Sequence, residues 1–90
     1  MAKLYKTNGE VIEIEPTNGK KFTLKEAQQY VNGYVELVDL KHREMLICNE
    51  EAILLNMPYN RKATEVLAEN YGQDCQGLYG DIIHCLKKEF

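Results

Sequence analysis

Apolar and polar positions alternate in several short stretches. Val11-Ile12-Glu13-Ile14-Glu15 places Ile12 and Ile14 on one side and Glu13 and Glu15 on the other, which predicts a half-buried strand over residues 11–15, ended by Pro16. Residues 2–6 alternate as well. Asn8-Gly9 lies between the two stretches and predicts a hairpin with a type I′ turn, because both residue types tolerate positive φ angles.

After a second turn signal, Asn18-Gly19, the period changes. Thr23 and Glu26 form a capping-box pattern, and Leu24, Ala27, Tyr30 and Val31 make one apolar stripe of a helix. Asn32-Gly33 supplies its left-handed stop. Residues 34–40 alternate again, and Lys41-His42-Arg43 reads as a polar turn. Residues 44–49 are more continuously apolar, which suits a central strand with both faces covered.

Ile53-Leu54-Leu55 is apolar but short, and fits either a strand extension or a helical turn leading to Met57-Pro58. Asn60 caps a second helix with Ala63, Val66 and Leu67 inward, closed by Tyr71-Gly72. Residues 72–80 read as a loop, Ile82–Leu86 as a last strand, and Lys87-Lys88-Glu89 as a solvated tail. The order ββαββ-α-β predicts an α+β fold: one domain over residues 1–90, a mainly antiparallel sheet of about five strands, and two helices packed on one face.

Composition narrows the function classes. At 90 residues, 44% of them hydrophobic, the chain is apolar enough for one packed core. The net charge is −3, and the basic residues occur as isolated pairs, Lys20-Lys21, Arg61-Lys62 and Lys87-Lys88. That is not the basic stripe of a nucleic-acid binder, so nucleic acid is an unfavoured partner. The first residues lack a signal-peptide h-region, and no apolar run has the length of a membrane span. With three cysteines, an odd number, this predicts free thiols and a cytoplasmic location.

Catalytic patterns are sparse. Cys48, Cys75, Cys85, His42 and His84 give no Cys-x-x-Cys and no His-x-x-x-His, so no metal is expected. The chain has no serine, and its glycines match no phosphate-cradling spacing, so no cofactor is expected. Two enzyme alternatives are a Cys48–His84 pair on neighbouring strands and the adjacent carboxylates Glu50-Glu51. A buried thiol is more often a small hydrophobe, and adjacent turn carboxylates are more often solvated. The chain therefore reads as non-enzymatic.

Of the six tyrosines, Tyr59, Tyr71 and Tyr79 lie in or beside predicted loops, where a rigid amphipathic ring provides contact area at low entropic cost. Tyr59, Asn60, Tyr71, Tyr79, Glu50 and Glu51 are accordingly the candidate binding residues. The expected partner is a protein or a small ligand, and a homodimer is compatible with this reading.

The segments Tyr30–Val38, Asn49-Glu50-Glu51, Leu55–Asn60 with Ala63-Thr64, and Gly80–Ile83 resemble, in order and spacing, domain-of-unknown-function family 3846, small proteins of phages, plasmids and conjugative elements. The chain departs from that pattern at Ala52, where the family has glycine. The resemblance implies an accessory protein of mobile DNA that acts by binding. An inhibitor of a bacterial anti-phage defence system is the sharper alternative.

Overall fold

A computed structural model describes residues 1–90. The elements are β1 (Lys3–Tyr5), β2 (Val11–Glu13), α1 (Leu24–Val31), β3 (Val35–Asp39), β4 (Glu44–Asn49), α2 (Arg61–Tyr71) and β5 (Ile82–Leu86), followed by a 3₁₀ turn at Lys87–Glu89. The strands form one antiparallel sheet in the order β2-β1-β5-β4-β3. The α+β class, the strand count and the ββαββ-α-β order are as the sequence predicts.

The placement of the helices differs from the expected single face. Along β4, Met45 and Ile47 pack with Ala27 and Val31 of α1, whereas Leu46 and Cys48 pack with Ala63 and Leu67 of α2. Along β5, Ile83 and Cys85 join the first group and Ile82 the second. Successive strand residues point to opposite faces, so the two helices cover opposite sides of the sheet. The physical reason is the uninterrupted apolar run of β4 and β5, which needs cover on both faces.

Local chemistry accounts for most boundaries. The Thr23 hydroxyl accepts from the Glu26 amide, the Glu26 carboxylate accepts from the Thr23 amide, and Asn32 ends α1 in the left-handed region. The first hairpin turns over three residues, Thr7–Gly9, one more than the type I′ turn expected at Asn8-Gly9, and only Gly9 takes a positive φ. Lys6 N–H donates to Glu10 and Gly9 N–H to Lys6, and Gly9 has φ +95 while the Asn8 side chain instead accepts from the Glu10 amide. The left-handed pair sits at the β3–β4 turn, where His42 and Arg43 have φ +62 and +60 without a glycine.

The predicted solvated tail is also partly ordered. Glu89 accepts from the Leu86 and Phe22 amides, and Phe90 packs against the core on the α1 side. No helix is long and apolar enough to cross a membrane.

Candidate functional groove and the motif residues around it

Asn49 and Asn60 organise the surroundings of the site from inside. Asn49, at the end of β4, donates through Nδ2 to the Val31 carbonyl at the end of α1 (3.0 Å) and accepts at Oδ1 from the Glu51 amide (2.7 Å). It thus ties the stop of α1 to the turn after β4. Gly33 makes room for it: a Cβ there would lie 2.8 Å from Asn49 Nδ2. Gly33→Ala is therefore expected to cost about 1–3 kcal/mol by forcing that amide aside. A urea titration of Gly33→Ala, Asn49→Ala and the double variant checks it, with the double costing less than the sum because both damage one contact.

Residues 50–56 then make one helical turn. Leu55 N–H donates to Glu51, Asn56 N–H to Ile53 and Met57 N–H to Ala52, with Asn56 left-handed at φ +55. This is the helix-ending pattern in which a left-handed residue lets two amides reach back to free carbonyls. So short a turn buries only one side. Ala52 points inward, while Ile53, Leu54 and Leu55 are 58%, 76% and 53% exposed. The alternative between strand extension and helical turn is resolved as a helical turn, facing solvent.

Opposite this turn, residues 76–79 are held to the start of α2. Asn60 N–H donates to Leu78 O, Gly80 N–H to Pro58 O, and Leu78 N–H to the Thr64 hydroxyl, and Tyr59 bridges to Tyr79. The Tyr59 and Tyr79 rings meet edge to face, with centroids 5.6 Å apart. Gly77 lies under the Tyr59 ring, 3.0 Å from where its Cβ would sit.

Between turn and loop runs an open groove of about 430 Å³, whose lining includes Glu36, Glu50, Glu51, Ile53, Leu54 and Tyr79. No Lys, Arg or His lines it. Three carboxylates beside two exposed aliphatic side chains suit an apolar ligand group that carries positive charge.

The six candidate residues fall into three groups. Glu50, Glu51 and Tyr79 line the groove, with Tyr59 stacked beside it. Asn60 is removed from the contact surface. It is 0% exposed, its Oδ1 accepts from Ala63 N–H to cap α2, and its Nδ2 donates to the Tyr5 and Gly80 carbonyls at 2.8 Å each. Tyr71 stands at the far end of α2, about 16 Å away for 11 residues at 1.5 Å each, and its hydroxyl donates to the Asp39 carbonyl. Glu36, Ile53 and Leu54 escaped the sequence reading. The signal for Ile53 and Leu54 was an apolar triplet beside turn residues, which periodicity treats as core, and Glu36 reads as an ordinary polar position of β3.

The thiol–imidazole pair does not form. His84 Nδ1 lies 2.7 Å from the Tyr5 hydroxyl and Nε2 lies 2.7 Å from Glu44 Oε1, so both ring nitrogens are engaged. The Glu44 carboxylate can only accept, so in the neutral ring the proton sits on Nε2 and Nδ1 accepts from Tyr5. Burial pushes the Cys48 thiol up to about 12, with the Glu36 charge adding to the effect. Burial likewise raises the Tyr5 hydroxyl above its usual value, helped by the charges of Glu44 and Glu69. Neither group is a ready nucleophile at neutral pH. No three Cys, His, Asp or Glu side chains converge as a metal site requires.

The family described as Domain of unknown function (DUF3846) matches residues 3–89. No curated protein and no solved structure matches the chain.

Proposed function

We propose that this chain, which belongs to the DUF3846 family, is a non-enzymatic accessory protein of a mobile genetic element that works by binding a protein partner in the groove between residues 50–55 and 76–79. One observation carries the reading. Ile53 and Leu54 are large aliphatic residues held in solvent by a closed helical turn, beside carboxylates that no cation on the groove neutralises. A folded chain gains nothing from that exposure, whereas a partner that covers it recovers about 25 cal/mol per Å² of apolar area. The favoured partner presents an apolar side chain next to a lysine or arginine.

The test compares the wild type with Ile53→Glu/Leu54→Glu, using native mass spectrometry of the chain drawn gently from its host's lysate. The wild type is expected to carry an added partner mass that the double variant lacks. The double variant should melt like the wild type, because the changed side chains already face water. Retention of the same partner by the double variant would remove the groove from the account. Tyr71→Phe, at the far end of α2, serves as the control and should leave the complex intact.

A further inference from the structure

β3 ends the sheet, and only β4 pairs with it. Glu50 N–H donates to Tyr34 O and Leu40 N–H to Glu44 O, which identifies residues 34, 36, 38 and 40 as those whose backbone groups turn toward β4. By the alternation of an antiparallel ladder, the N–H and C=O of Val35 and Leu37 and the N–H of Asp39 point out of the sheet. The Asp39 carbonyl also points outward; it accepts from the Tyr71 hydroxyl and keeps a second lone pair. Exposed edges are usually blunted by lysine, proline or a bulge. β3 has none of these: it pairs without interruption over Val35–Asp39, and Leu37 at its centre is 49% exposed.

Charge is sorted along this edge. At its start stand Glu36, Glu50 and Glu51, with the C-terminal end of α1, whose last turn holds no basic residue. At its other end stands the Lys41-His42-Arg43 turn, and His42 and Arg43 share a depression with Lys87 and Lys88. Asp39, the one carboxylate of β3 at the basic end, is paired with Lys87, so an edge acidic at one end and basic at the other complements itself when reversed.

We infer that two copies of this chain associate by antiparallel pairing of β3 with β3, about a two-fold axis at Leu37, so that both sheets become one. In this register Leu37 faces its counterpart, Val35 faces Asp39 and Glu36 faces Val38, so no like charges stand directly opposite. The basic turn of each copy lies at the acidic start of the other's strand, twice by symmetry. Moving the axis to Glu36 sets two carboxylates face to face, and parallel pairing brings like ends together. A second copy therefore fits this edge better than an arbitrary extended peptide.

Sedimentation of the purified chain alone tests this without reference to the groove partner. The wild type is expected to reach twice its 10.4 kDa mass as concentration rises from micromolar to millimolar, and to dissociate as salt is added. Leu37→Lys places two ammonium groups opposite each other and should weaken the dimer about tenfold or more, with melting unchanged. Leu37→Cys, in a Cys75→Ala background, should form an interchain disulfide when treated with oxidised glutathione, since residue 37 meets itself at about 5.5 Å.

Lys41→Glu/Arg43→Glu and Glu50→Lys/Glu51→Lys should each be monomeric alone and pair when mixed. A wild type that stays monomeric throughout overturns the inference, as does a dimer indifferent to Leu37→Lys. Failure of the mixed charge variants to pair would also count against the antiparallel register.

Discussion

Asn60→Ala is expected to lower the stability of the chain by on the order of 3–5 kcal/mol, enough to leave a substantial unfolded population in so small a domain. Three losses combine. The α2 cap goes, worth about 1 kcal/mol in other helices. The Tyr5 and Gly80 carbonyls each lose a buried hydrogen-bond donor, at about 1–2 kcal/mol each. Solvent does not replace it, because Asn60 is 0% exposed.

The measurement is a urea titration beside Thr23→Ala, which removes the cap of α1 at an exposed position and should cost only about 1 kcal/mol. If the two variants lost equal stability, the long-range bonds of Asn60 would be contributing nothing. Asn60→Asp sharpens the comparison. It keeps the capping oxygen but turns a carboxylate toward two carbonyl oxygens, and should be at least as damaging as alanine.

What could be read from the sequence was what local chemistry determines. The Thr23–Glu26 box, the Asn60 cap and the left-handed stop at Asn32 each act within a few residues, and each lies where the sequence places it. What could not be read depends on partners distant in sequence. Asn60 looks like an ordinary helix cap until β1 and Gly80 are brought against its amide from 55 and 20 residues away.

The Tyr5–His84–Glu44 chain has the same origin, since its members meet only across β1, β5 and β4. The Asn49-Glu50-Glu51 segment divides in two. Its asparagine is an internal tie between α1 and the following turn, and its glutamates are free on the groove. The exposure of Ile53–Leu55 was illegible for a simpler reason: a periodicity argument assumes that apolar residues turn inward, and a single helical turn anchored by Ala52 has no second face to offer them.

Alkali should unfold the chain well before it ionises the folded core. The Cys48 and Cys85 thiols are each pushed from an ordinary 9.0 to about 12, in both cases first by burial, with Glu36 reinforcing it at Cys48 and Glu89 at Cys85. Tyr5 is raised above 10.0 for the same leading reason. A raised thiol pKa means that the folded chain holds the proton after the unfolded chain has released it.

The stabilisation this provides is fully present below about pH 9. It declines above that, and is lost as pH rises through the folded value near 12. Between those limits each thiol contributes a slope of up to about 1.4 kcal/mol per pH unit, so Cys48 alone removes on the order of 4 kcal/mol across the window. Tyr5 adds to the loss in the upper part of the range, once unfolded tyrosine begins to ionise.

Urea midpoints taken from pH 7 to pH 11 should be level at first and then fall steeply above pH 9. Cys48→Ala/Cys85→Ala should start lower at pH 7, because two buried side chains are cut back, but should fall less steeply. Parallel curves for the double variant and the wild type would mean that the buried thiols are not the source of the alkaline loss.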